Sequence, residues 1–160
     1  MNKALLFILV CCSLLACNLF TNKKTIAGPD EKKQMMDADR AFSKLSAEKG
    51  MKNAFLEYID SNGVLLRPNQ LPILGADAID FLIQENDSSY TLEWEPKSGM
   101  IAQSGELGYT YGLYKLQPKN KDTAIFGTYV SIWKKQSDGS WKFVLDSGNE
   151  GVGDNPGDSQ

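Results

Sequence analysis

Thr123-Ala124-Ile125-Phe126-Gly127-Thr128-Tyr129-Val130-Ser131-Ile132-Trp133-Lys134-Lys135-Gln136-Ser137-Asp138-Gly139-Ser140-Trp141-Lys142-Phe143-Val144-Leu145-Asp146-Ser147 is the stretch that decides the fold. Two runs rich in β-branched and aromatic residues flank Ser137-Asp138-Gly139-Ser140. That pattern predicts two antiparallel strands and a tight turn, because Asp and Gly tolerate the backbone angles a hairpin needs. Period-two sequence continues upstream to Glu93, so residues 93–148 predict one curved antiparallel sheet of three or four strands. Glycines at 105, 108, 112 and 127 fall where such a sheet must kink or admit a close neighbour.

Before the sheet the period changes from two to three and four. Met35, Ala38, Phe42 and Leu45 form one apolar face of a helix, with Asp30 as its cap after Pro29 and Gly50 as its terminator. A shorter helix follows over Met51 to Ile59, with Met51, Ala54, Phe55 and Tyr58 inward, and Ser61-Asn62-Gly63 breaks it. Val64-Leu65-Leu66 reads as a buried strand stopped by Pro68, and Asn69 to Leu74 as an irregular loop. Gly75-Ala76-Asp77 opens a third helix whose stripe is Ala78, Ile79, Leu82 and Ile83. Helices followed by strands only give an α+β domain, with helices on one face of the sheet. Residues 149–160, rich in Gly and Asp and without aromatics, read as a disordered tail.

The 160 residues carry 42% hydrophobic and 23% charged side chains and a net charge of −3, the profile of one ordinary globular domain. With no basic cluster, the chain lacks the electrostatic footprint of a nucleic-acid binder. Its cysteines are Cys11, Cys12 and Cys17, and it has no histidine. Past Cys17 there is therefore no thiol nucleophile, no imidazole base and no zinc-type ligand, and a Ser-His-Asp triad is excluded. No run has the spacing of a calcium loop. No metal and no cofactor are expected.

The N-terminus reads as an address. Lys3 supplies a positive start, Ala4 to Val10 an apolar run, and Leu14-Leu15-Ala16-Cys17 ends it with a small residue before cysteine. This arrangement resembles the lipobox of bacterial lipoproteins, which implies a signal peptide over residues 1–16, lipid on Cys17 and a tether over 17–29. The implied location is the bacterial cell envelope, lipid-anchored, either periplasmic or surface-exposed. A plain signal peptide cut near Ala16, leaving Cys17 free, is the other reading.

Residues 30–148 carry a resemblance of their own. Asp39-Arg40-Ala41-Phe42, Arg67-Pro68, Trp94-Glu95-Pro96, Gly105-Glu106-Leu107-Gly108-Tyr109-Thr110-Tyr111-Gly112, Gly127-Thr128-Tyr129 and Gly139-Ser140-Trp141-Lys142 look like a DUF4440 domain. That is a SnoaL-like branch of the NTF2-like superfamily. The resemblance implies a cone: a strongly curved sheet wrapped around the long first helix, with two shorter helices and a pocket at the open end. Steroid isomerases of this superfamily place a general-base aspartate just before the proline that ends the first strand. Here that position is Arg67, which stays protonated and cannot be the base.

The ligand-binding candidates are Tyr58, Arg67, Trp94, Tyr111, Tyr129 and Asp146, with Asp146 the one catalytic candidate. Tyr109 shares a strand face with Tyr111, as Trp133 does with Tyr129, and sequence leaves open which face looks inward. Arg67 would orient an anionic group unless a carboxylate such as Asp39 or Asp60 pairs with it. Three readings follow. The first is a lipid-anchored domain that binds a small, partly apolar ligand without catalysis. The second is a lyase or isomerase of the SnoaL-like or ketosteroid isomerase type, with Asp146 or a tyrosine moving the proton. The third is a structural module that forms a homodimer through the outer face of the sheet.

Overall fold

The computed structural model describes residues 28–152. The signal peptide, Cys17, the tether before Gly28 and the tail after Val152 lie outside the described residues. Among the described residues, no helix is long and apolar enough to cross a membrane.

The chain runs α1 (Pro29–Lys49), α2 (Met51–Tyr58), β1 (Ile59–Leu66), β2 (Ile73–Leu74), α3 (Gly75–Gln84), β3 (Tyr90–Ile101), β4 (Leu107–Pro118), β5 (Ile125–Lys135) and β6 (Trp141–Glu150). All six strands form one curved sheet in the order β2-β1-β6-β5-β4-β3, the α+β cone expected from sequence. The antiparallel sheet expected over residues 93–148 is present as β3 to β6. β1 lies parallel to β6, with Leu65 beside Asp146 and Leu66 beside Ser147. The helix and hairpins between them supply the long crossover that a parallel pair requires.

Local boundaries also move. α1 begins at Pro29, and its end is capped by Gly28, whose N–H donates to Glu31 Oε2 at 2.9 Å, rather than by Asp30. Ser61-Asn62-Gly63 does not separate α2 from the first strand. It forms an irregularity inside β1, where the register with β6 shifts between Ile59 and Val64. β6 continues through Glu150, so Asn149 and Glu150 belong to the sheet and not to a tail. Ile73-Leu74, read as loop, pairs with β1 as β2.

The core explains the cone. Phe42 of α1 is buried, and its ring lies 4.8 Å from that of Phe55, 4.5 Å from that of Trp94 and 5.5 Å from that of Phe143. One side chain thus joins α1, α2, β3 and β6. Burying such a ring stabilises by about 1.5–3 kcal/mol, and the edge-to-face contacts add to that.

The buried face of α1 is not the plain apolar stripe expected. Met35 and Phe42 are buried, while Ala38 and Leu45 are only half-buried, and the polar Asp39, Ser43 and Ser46 are buried in their place. The serines have a reason to be there. β3 is an edge strand, and Ser43 Oγ donates to the Trp94 carbonyl at 2.6 Å and accepts from the Trp94 N–H at 2.7 Å. Ser46 Oγ donates to the Leu92 carbonyl at 2.7 Å. The helix therefore covers and satisfies an edge that would otherwise invite pairing with another chain.

Candidate functional site

Strand parity decides what the interior can be. On β4, Gly108, Thr110, Gly112, Tyr114 and Leu116 share the inner side, which turns Tyr109 and Tyr111 outward. On β5, Tyr129, Ser131 and Trp133 face inward. The inner face of the sheet and the helices enclose a cavity of about 270 Å³. Phe55, Phe81 and Leu82 close it from the helix side, and Leu92, Trp94, Tyr114, Leu116 and Tyr129 line it from the sheet.

Two glycines make room for its aromatic walls. Gly112 stands opposite Tyr129 and Gly127 opposite Tyr114. A Cβ on Gly112 would come within 2.9 Å of Tyr129 Cε1, and one on Gly127 would collide with the Tyr114 ring. The alternation Gly112, Tyr114 against Tyr129, Gly127 lays each ring over a bare backbone, which a side chain at either glycine would forbid.

The polar wall is Arg67 and Asp146, with Ser131 buried behind Asp146. Pro68 ends the segment after β1 and leaves Arg67 beside β6. Its Nη1 donates to Asp146 Oδ1 at 2.9 Å and to the Leu66 carbonyl at 3.0 Å, and its guanidinium lies 5.5 Å from the centre of the Phe55 ring. Ser131 pairs with Asp146 across the β5–β6 ladder and donates from Oγ to Asp146 Oδ2 at 2.9 Å. Arg67 is thus paired, and its partner is neither Asp39 nor Asp60. Asp60 instead accepts from the Asn62 N–H at 2.9 Å and from Gln136 Nε2 at 3.0 Å, which hold its carboxyl below the usual range. Arg67, expected to orient an anionic ligand, has its charge met within the wall by Asp146.

Beneath the aromatic wall lies a carboxylate that sequence reading offered as a family mark and as a possible partner for Arg67, not as a buried centre. Asp39 of α1 is fully buried. Its Oδ1 accepts from Trp94 Nε1 at 2.7 Å and its Oδ2 from the Tyr129 hydroxyl at 2.7 Å. Thr110 adds a third hydrogen bond, while its Oγ1 accepts from Trp133 Nε1 at 2.8 Å. Burial pushes the Asp39 carboxyl up, and the hydrogen bonds from Thr110, Trp94 and Tyr129 pull against that rise without cancelling it. Burial also pushes the Tyr129 phenol up, reinforced by the Asp39 charge, so it stays a neutral donor. At the outer part of the cavity the Tyr90 phenol is pushed up to about 12, by burial first and then by the charges of Glu85 and Asp87.

Of the residues picked from sequence, Arg67, Trp94, Tyr129 and Asp146 line this cavity together. Tyr58 and Tyr111 do not, and both placements are corrected. Tyr58 stacks on Phe42 at 4.9 Å behind the cavity, because the inner side of α2 packs on α1. Tyr111 is 48% exposed on the outer sheet face. Sequence reading missed Tyr90, Leu92, Tyr114, Leu116 and Ser131. The signal for the β4 pair was that Tyr114 and Leu116 continue the parity of Gly112, placing large residues on the glycine side.

No family model matches the chain, and no curated protein sequence matches it. Solved structures do. A ketosteroid isomerase-like protein from Erwinia carotovora atroseptica superposes with a TM-score of 0.61 at 14% identity, over 77% of this chain and 98% of that one. An NTF2-like protein with a cystatin-like fold from Novosphingobium aromaticivorans gives 0.61 at 11% identity, over 78% and 84%. An LEH-like epoxide hydrolase from M. tuberculosis gives 0.54 at 12% identity, over 78% and 87%.

Folding raises the proton affinity of Asp39, so its contribution to stability is fully present below the ordinary value of 3.8 and is lost as pH rises through the folded value. Asp39→Asn turns an amide N–H toward groups that are themselves donors and is expected to cost about 1–3 kcal/mol. In urea unfolding across a pH series, the deficit of the variant against wild type should widen as the solution is acidified; a deficit that shrinks would contradict this reading. The likeness to these solved structures, together with the helix-filled cone, shows that the chain has the NTF2-like fold.

Proposed function

We propose that this domain binds a small, partly apolar molecule in its cavity without transforming it, and that it belongs to the DUF4440 branch of NTF2-like proteins. The supporting observation is the cavity itself: about 270 Å³, with aromatic and leucine walls and one polar wall of Arg67 and Asp146. That volume lies near the lower end of small-molecule sites, and a few fixed polar groups on an apolar surface are what such sites use to orient a ligand.

Binding without chemistry is favoured over the isomerase or lyase reading by the state of the two interior carboxyls. A general base needs an oxygen free to take a proton from the substrate. Asp146 has one oxygen held by Arg67 and the other by Ser131, and Asp39 accepts from groups that hold it under the floor. The isomerase-like and hydrolase-like names of the structural relatives stay with those proteins, since fold does not carry activity.

The Leu14-Leu15-Ala16-Cys17 run supports attachment of the domain by lipid on Cys17 in the bacterial envelope. Expressed in a bacterium as the full chain and extracted from membranes, the protein should release a small organic molecule on denaturation, detectable by mass spectrometry against a Tyr114→Ala control that carries less of it. Release of nothing from either form, repeated with lysate-incubated protein, would contradict the binding role.

A second reading has its own observation. The outer sheet face exposes Met100, Leu107, Tyr109 and Tyr111, with Val130 and Ile132 beside them. Apolar groups gathered in this way mark association surfaces, and a second copy of this chain is the simplest partner for a sheet face. Light scattering should then give a dimer mass for wild type and a monomer mass for a Tyr109→Lys/Tyr111→Lys variant; a wild-type monomer at high concentration would contradict it.

A further inference from the structure

The charges around the cavity point to a ligand class. Arg67 and Asp146 form a pair at 2.9 Å, so the polar wall presents little net charge to a guest. Two other carboxylates line the same cavity, Glu85 just after α3 and Glu150 at the end of β6. Among the described residues neither has an ion-pair partner. Lys52, which lies outside the lining, gives its ammonium to the Ile83 carbonyl at 3.0 Å. The lining therefore sets one guanidinium against three carboxylates, and the unpaired charges are both negative.

The aromatic surfaces agree with that sign. Tyr90 and Tyr114, both cavity-lining, feel these acids: Glu85 and Glu150 respectively add to the burial that raises their phenols. Each thus remains an intact neutral ring with a negative face, next to a carboxylate. An organic cation gains from both at once, through Coulomb attraction to the carboxylate and through the ring quadrupole. A carboxylate or phosphate guest would meet repulsion from the same groups and would find Arg67 already engaged.

On the reading that the cavity is a binding site, we propose that its ligand is a cationic amphiphile: an ammonium group held at the rim by Glu85, Glu150 and the tyrosine faces, on an apolar or aromatic body seated against Trp94 and Phe55. No bond is made or broken, and specificity comes from charge at the rim and shape inside.

Matched probes test the charge separately from the cavity. Isothermal titration of the full chain with phenethylamine, phenethyl alcohol and hydrocinnamate compares a cation, a neutral group and an anion on one aromatic body. The amine should bind about tenfold tighter than the alcohol, the sum of two partly exposed attractions. Hydrocinnamate should be the weakest, and the preference for the amine should fall as salt rises. In a Glu85→Gln/Glu150→Gln variant the advantage of the amine over the alcohol should fall to the smaller part that the tyrosine faces supply. Equal affinity for all three probes would overturn the charge inference and leave the cavity as a neutral apolar site. Tightest binding of hydrocinnamate would also overturn it and return Arg67 to the role of anion partner. An amine advantage undiminished in the double variant would place the cation elsewhere and overturn it too. Binding of none of the three would take down the binding role along with the inference.

Discussion

A buried carboxylate on the central helix is the constraint on which the rest of this structure depends. Asp39 has no exposed surface, and it accepts from Trp94 on β3, Thr110 on β4 and Tyr129 on β5. An isolated charge in that position would cost several kcal/mol, and the hydrogen bonds gathered around Asp39 recover part of that penalty. Because the donors come from three neighbouring strands, satisfying one charge pulls three strands toward one point on α1. The curvature of the sheet and the burial of the charge are therefore the same requirement. Thr110 extends the network to Trp133, so the half-buried indole of β3 and the buried indole of β5 are both oriented from this point.

From that anchor the cavity follows. Holding Trp94 and Tyr129 by their polar tips leaves their ring faces as walls, and the glycines opposite the β4 and β5 tyrosines keep the space above them open. Ser43 and Ser46 fix the backbone of β3 to the same helix, so the edge that carries Tyr90, Leu92 and Trp94 cannot peel away. The Arg67–Asp146 pair performs the matching task on the far side, across the parallel β1–β6 seam. Between the two polar anchors the molecule keeps a hollow where a solid core would otherwise form. Its apolar walls are surface that a bound guest would cover.

Much of the fold was legible because it rests on local rules. The hairpin at Ser137-Asp138-Gly139-Ser140, the period-two runs on each side and the helix that buries Phe42 all appear as predicted, since each depends on residues close in sequence. What could not be read depends on tertiary placement. Asp39 looks like any helix acid until the donors from three strands are assembled around it. Arg67 and Asp146 are separated by 79 positions and meet only through a parallel pairing that no local pattern announces. On β4, glycine and tyrosine alternate, so both faces carried an argument for facing inward. The larger residues further along, Tyr114 and Leu116, decided it. The burial of Ser43 and Ser46 on the inner side of α1 was not legible either, because their partner, an edge strand, cannot be seen from the helix alone.

The account is tested most directly by following the indole N–H signals of Trp94, Trp133 and Trp141 by two-dimensional NMR through an acid titration. If Asp39 anchors the sheet, the Trp94 indole exchanges slowly with solvent and shifts as the carboxyl takes up its proton, at a midpoint above 3.8, and the Trp133 indole follows through Thr110. Trp141, whose indole N–H has no partner among the described residues, should stay still. A Trp94 indole that exchanges freely and ignores the titration would contradict the claim that a buried charge on the helix holds this sheet in its curve.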